Sequence, residues 1–203
     1  MKPLEPARRR LIVGISGASG VVYGVRLLQL LRNAGVESHL VMSRTAEITF
    51  AHETALKIAD VRALADIHHR IDDMAASISS GSFRTAGMIV APCSMRSMSE
   101  IASGVTTTLL TRAADVTLKE RRRLVLMVRE TPLHTGHLRT MTALSEMGAI
   151  IAPPVPAFYS KPETLDDMVD HTVGRALDLF DIDVGVVNRW GESRGRPVKR
   201  EEV

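Results

Sequence analysis

The chain has 203 residues, 45% of them hydrophobic and 24% charged, with a net charge of +3 at neutral pH. That length suits one domain able to bury a full core, and the balance excludes wholesale disorder. Four Phe, two Tyr and one Trp are too few for the stacking platform of a single-strand nucleic-acid binder. The basic runs Arg8-Arg9-Arg10 and Lys119 to Arg123 therefore read as solvated faces or small phosphate sites. The single cysteine, Cys93, excludes an internal disulfide framework. The apolar stretch Leu11 to Ile15 is too short for a signal segment, and no stretch approaches the roughly 18 apolar residues of a membrane span, so a cytoplasmic location is expected.

In chain order, Leu11 to Ile15 reads as a buried strand, stopped by the glycine-rich turn Gly17-Ala18-Ser19-Gly20. Val21 to Ala34 carries the helical period and closes on Gly35. Ser38 to Met42 is a second strand, and Ser43 is placed to cap a helix running to about Leu56. Residues 57 to 86 give no clear pattern, and Ser77 to Ser82 reads as a mobile Ser/Gly-rich loop. Gly87 to Ala91 is a strand, followed by helices at about Ser97 to Ala102 and Thr107 to Arg121. Leu124 to Val128 is a strand, His134 to Met147 a helix and Ala149 to Ala152 a strand. A Pro-rich connection, Pro153 to Pro162, leads to an amphipathic helix from about Glu163 to Phe180, and Glu192 to Val203 reads as a polar tail. The alternation predicts one α/β domain with a core over about 10–180, a C-terminal arm over 181–203, and a three-layer, doubly wound, mostly parallel sheet.

In such sheets ligands lie beyond the carboxyl ends of the strands. Four loops leave strand ends: Gly17 to Gly20, Ser43-Arg44, Pro92 to Ser97, and Arg129 to Pro132; they are expected to converge on one crevice. The glycines at 14, 17 and 20 do not form the dinucleotide fingerprint, and no acidic residue ends the second strand. A glycine-rich turn opening a helix with Ser19 and Ser43 nearby suits a mononucleotide, although an ordinary tight turn explains that loop equally well. Ser94 and Ser97 can donate to an anion at a helix N-terminus, and Arg96 can neutralise a phosphate. Cys93 has no histidine close in sequence to activate it and reads as structural. Arg129 and Glu130 at a strand end form a site candidate by position, whereas Arg112, Lys119, Lys161 and Arg175 each admit a surface explanation. His134 and His137 share a helix face, but no carboxylate pattern accompanies them and no metal site is expected.

The ordered set GISGASG at 14–20 with Tyr23-Gly24, Ser43, Ala91 to Met95, Arg112 to Val116, Leu118 to Arg122, Arg129 to Leu133, Pro156 to Tyr159 and Arg189 to Glu192 resembles the UbiX-like flavin prenyltransferases. The likeness runs from about residue 10 to 192. It implies a flavodoxin-like or Rossmann-like homo-oligomer, usually a dodecamer, with active sites at subunit junctions. Members join a dimethylallyl group from dimethylallyl monophosphate to N5 and C6 of reduced FMN without a metal, and the product serves UbiD-type decarboxylases, including those of ubiquinone synthesis.

Carried over by position, the resemblance implies that Gly17, Ala18, Ser19, Ser43, Ser94, Met95, Arg96, Ser97 and Arg129 hold FMN. It implies that Arg112, Lys119, Tyr159 and Arg175 grip the dimethylallyl phosphate, with Glu130 assisting and Trp190 near the prenyl site. Ser19 and Glu53 match the pair expected near flavin N5, where a proton must leave. Two positions depart from the pattern: Val128 stands where Pro is common, and Arg96 where Lys is frequent. Two other readings compete: a cysteine-type flavin decarboxylase on the same fold, whose Asn-bearing motif and catalytic His are not evident, and a non-catalytic flavin carrier, which would leave Lys119, Tyr159 and Arg175 without a purpose.

Overall fold

The apolar runs become six strands, β1 (Arg10–Ile15), β2 (Glu37–Met42), β3 (Ile67–His69), β4 (Gly87–Cys93), β5 (Arg123–Val128) and β6 (Ile150–Ile151). They belong to a computed structural model that describes residues 8–191. Every pairing is parallel, in the order β3-β2-β1-β4-β5-β6. The chain winds outward from β1 in one direction and from β4 in the other, so the β1–β4 boundary is the topological switch point of a doubly wound sheet. The tail expected over Glu192 to Val203 lies outside the described residues.

Among the described residues seven α-helices cover the two faces: α1 (Val21–Asn33), α2 (Arg44–Glu53), α3 (Ile58–Leu64), α4 (Met95–Ala102), α5 (Leu109–Lys119), α6 (Thr135–Glu146) and α7 (Leu165–Asp178). Successive strand residues point to opposite faces and divide the core. Leu11, Val13 and Ile15 of β1 pack with α1 and α7, whereas Ile12, Met88 and Val90 pack with α4 and α5. Phe50 and Phe180 anchor the first layer, fully buried among aliphatic neighbours. Ile182 is buried in that layer as well, so packing continues past the end of α7.

The strands and the long helices fall where the apolar periods place them, and the differences have local causes. The unreadable stretch 57–86 holds α3 and the three-residue edge strand β3, too short and too polar to show a period. Ser77 to Ser82 is a packed turn rather than a mobile loop: Ile78 is buried, and Arg122 donates to the carbonyls of Gly81 and Phe83. The helix capped by Ser43 stops at Glu53, because Thr54 is extended and turns its hydroxyl back to the Phe50 carbonyl. The basic runs are used inside the fold. Arg8 pairs with Asp66, Arg10 with Glu37 and Arg123 with Asp181, which leaves little of either run as a continuous cationic face.

Candidate active site

The loops leaving β1 and β4 flank the switch point and are stitched together there. Ser16 is fully buried; its hydroxyl donates to the Pro92 carbonyl at 2.9 Å and accepts the Ser94 amide at 2.7 Å. The next residue is Gly17, where a Cβ would fall 2.4 Å from Thr45 Cβ, so only glycine lets this turn approach the start of α2. Gly20 follows at φ +100° and opens α1.

Two more helices begin on the same crevice. Ser43 caps α2 by accepting the Ala46 amide at 3.1 Å, and Ser94 caps α4 by accepting the Ser97 amide at 3.3 Å. The Ser94 hydroxyl donates to Ser97 Oγ at 3.2 Å, so the Ser97 proton is not used within the pair and can be offered to a ligand. These hydroxyls, Gly17, Arg44, Arg96, Ile71 and Leu110 line a cavity of about 500 Å³. Arg96 is paired with Glu100 one turn along α4, at 2.8 Å. Thr45, Ile71, Asp72, Thr107 and Thr108 also line the cavity and were missed by sequence reasoning, because β3 and the start of α5 carry no signal that places them there.

Glu53 ends α2, yet its carboxylate sits on the N-terminus of α1. Oε2 accepts the Gly20 amide at 2.9 Å and the Val21 amide at 3.1 Å, and the Ser19 hydroxyl also donates to the carboxylate. Burial alone would raise its pKa. The Ser19 hydroxyl, the two amides and the Arg129 guanidinium outweigh that, and the net shift is downward from 4.5. Arg129 also opposes the upward push that burial gives Tyr23, so one guanidinium acts on both Glu53 and Tyr23. The Arg129 amide is bonded to the Cys93 carbonyl at 3.1 Å, so the fourth strand-end loop joins the other three. Glu130 beside it turns its carboxylate onto the Thr131 amide at 3.0 Å.

The remaining candidates form two groups elsewhere in the protomer. Tyr159 packs edge-on against Trp190 and against His171, with ring centroids 5.6 Å apart in both cases. Its hydroxyl lies 3.4 Å from His171 Nε2. Arg175, one turn further along α7, binds Asp178 at 2.6 Å. Burial, followed by Arg175, lowers the pKa of His171 against the pull of Asp178, so a neutral ring faces Tyr159. Arg112 and Lys119 lie on α5, which runs away from the crevice for 11 residues, about 16 Å. Arg112 pairs with Asp115, and Lys119 with Glu120 at the far end. One protomer therefore assembles the Ser19–Glu53–Arg129 group but does not bring Lys119 to it.

Two further side chains have structural roles. His134 Nδ1 accepts the amides of Gly136 and His137 at 3.0 and 3.4 Å and so caps α6. Cys93 is fully buried and burial pushes its thiol up to about 12. At pH 8 only about one thiol in ten thousand would be thiolate. Iodoacetamide should leave Cys93 unmodified in the folded protein over hours and alkylate it readily in guanidinium, as mass spectrometry would register.

A glycine-lined crevice at the switch point of an all-parallel doubly wound sheet, edged by helix N-termini and hydroxyls, defines a mononucleotide-binding α/β protein. The Flavoprotein family model matches residues 2–177. The chain is 63% identical over 175 residues to the flavin prenyltransferase UbiX of Salmonella typhimurium, covering 86% of this chain and 93% of that one. The crystal structure of AnUbiX (PadA1) in complex with FMN and dimethylallyl pyrophosphate superposes with a TM-score of 0.90 at 54% identity, covering 92% of this chain and 99% of that one. A dodecameric FMN-dependent UbiX-like decarboxylase from Escherichia coli O157:H7 superposes at 0.88, also 54% identical, over 90% of this chain and all of that one. The chain belongs to the UbiX family of flavin prenyltransferases.

Proposed function

We propose that this chain is a single flavoprotein domain that binds FMN in the switch-point crevice. It transfers a dimethylallyl group from dimethylallyl phosphate to N5 and C6 of the reduced flavin. The observation that carries the reading is the cavity at the switch point, lined by Gly17 and the hydroxyls of Ser43, Ser94 and Ser97, with the Ser19–Glu53–Arg129 group starting two residues beyond Gly17, in a chain with this family membership. The residues fit the nucleotide. A cavity of about 500 Å³ lies within the range of small-ligand sites. The Gly17 turn brings backbone to the site without side-chain bulk, and two helix N-termini with Arg44 and Arg96 suit a phosphate.

When bound, FMN supplies the two ring positions that receive the prenyl carbons. Gly17, Ala18, Ser43, Ser94, Met95, Arg96, Ser97 and Arg129 hold and orient it. Ser19 takes up the proton released at N5 and passes it to the ionised Glu53, to which its hydroxyl already donates. Arg112, Lys119, Tyr159 and Arg175, assisted by Glu130, hold the departing phosphate as the allylic C–O bond breaks and the electron pair leaves with oxygen. Trp190 offers a π face to the positive charge that develops on the allyl group.

Because α5 starts at the crevice and carries Lys119 to its far end, Lys119 reaches a substrate held there only from a neighbouring copy. This supports a closed homo-oligomer, a dodecamer as in the Escherichia coli relative. The exposure of the large apolar side chains Val155, Phe158, Leu165 and Trp190 supports such a contact. The product serves a UbiD-type decarboxylase.

Anaerobic incubation with reduced FMN and dimethylallyl phosphate should yield a flavin heavier by one prenyl unit; an unchanged flavin mass would leave only a carrier. Tyr159→Phe should lower turnover about tenfold and Arg175→Ala about a hundredfold, with FMN affinity unchanged in both. Stopped-flow turnover and flavin titration separate the two quantities, and normal turnover in both variants would remove the phosphate site from this face.

A further inference from the structure

We infer that Asp178 is a positioning residue for the substrate site: it fixes the guanidinium of Arg175 and, through Arg189, the segment that carries Trp190. This rests on the reading of Tyr159, Arg175 and Trp190 as the dimethylallyl phosphate site.

Asp178 is the last residue of α7, and its side chain is 14% exposed. A carboxylate there faces the negative end of the helix dipole, an unfavourable place for it unless cations compensate. Two do. Arg175 Nη1 donates to Oδ2 at 2.6 Å, and Arg189 donates through Nη1 to Oδ2 and through Nη2 to Oδ1, both at 2.8 Å. The Arg189 contact is bidentate, the geometry that restricts a guanidinium most. Asp183 lies 3.5 Å from the same Arg189. Burial would raise the Asp178 pKa, but the bonds from Arg189 and Arg175 hold it below its ordinary value, so it stays ionised at neutral pH.

The consequence reaches the aromatic group. Arg189 directly precedes Trp190, whose ring meets Tyr159 edge-on. One carboxylate thus sets the direction of the cation on α7 and the position of the aromatic on the following segment. A single hydrogen bond ties Arg175 to Asp178, which directs the guanidinium while leaving most of its five donors to meet an anion. A second tie, from Asn188 Nδ2 to the Ser160 carbonyl at 3.1 Å, keeps the segment near Tyr159 without Asp178. Loss of the Asp178 charge should therefore disturb aim rather than fold, and small errors of aim are costly where a leaving group must be met as it forms.

The test uses the FMN-loaded enzyme and four variants: Asp178→Asn, Asp178→Glu, Arg175→Ala and the Asp178→Asn/Arg175→Ala pair. Asp178→Asn should lower kcat with dimethylallyl phosphate about tenfold or more, with the FMN dissociation constant within about twofold of wild type. Asp178→Glu should recover part of that loss. On the Arg175→Ala background, Asp178→Asn should cost less than about twofold further, because the group it aims is gone. Trp190 is the chain's one tryptophan, so its fluorescence anisotropy should fall in Asp178→Asn. Wild-type kcat in Asp178→Asn beside an impaired Arg175→Ala overturns the positioning role alone, as does a full additive loss in the pair. Normal turnover in Arg175→Ala removes the substrate site itself, and the inference with it.

Discussion

Glu53→Gln should reduce prenyl transfer by about 10²–10³-fold while FMN affinity changes by no more than a few-fold. The carboxylate accepts the Ser19 hydroxyl and two amides at the start of α1, and these hold its pKa below 4.5. It is therefore ionised at neutral pH and ready to accept a proton through Ser19, whereas a glutamine amide keeps the shape and cannot. Ser19→Ala should impair the same step by a smaller factor. The sign of the pH effect follows from the downward shift. Glu53 contributes stability that is present above pH 4.5 and is lost as the pH falls through its lowered folded value. Urea unfolding of wild type and Glu53→Gln should thus differ at pH 7, with the difference shrinking toward pH 3. Turnover of Glu53→Gln within about threefold of wild type would remove Glu53 from the chemistry.

Gly17→Ala should weaken FMN binding by about ten- to a hundredfold. The added carbon would lie 2.4 Å from Thr45 Cβ and 3.1 Å from the Thr45 carbonyl carbon, the second of which is backbone. Rotating a side chain does not relieve that overlap, so the turn after β1 and the start of α2 must separate. Overpacking of this kind costs about 1–3 kcal/mol, and each 1.4 kcal/mol lost from binding is tenfold in affinity. The same separation moves Ser43, the cap of α2, away from the crevice. Flavin fluorescence titration would read the affinity; an unchanged dissociation constant would show that the crevice floor tolerates the shift and that FMN does not depend on it.

Local chemistry made much of the molecule legible. Aliphatic runs bounded by glycines announce the strands, because a strand buried on both faces needs no polar side chain, and Ser43 announces α2 because a hydroxyl at that position satisfies an otherwise unpaired amide. The location of the crevice followed from strand–helix alternation alone, since a parallel sheet puts all its outgoing loops at one end. The pairing of Ser19 with Glu53 came from family resemblance, and its geometry is invisible to composition: the Gly20 amide and Glu53 are 33 residues apart and meet only because α2 ends where α1 begins. β3 escaped notice because three residues, two of them histidine, carry no period.

The sequence by itself determined the fold class, the strand-end loops and the family, because these depend on local patterning and on an ordered set of short motifs. Only the tertiary structure decided which charges are spent on one another. It put Asp178 between Arg175 and Arg189, laid Glu53 on a foreign helix terminus, and turned Lys119 away from the crevice of its own protomer. The reason is one of range: propensity and capping act within a turn or two, whereas a carboxylate's partner is chosen by how whole helices pack across the sheet.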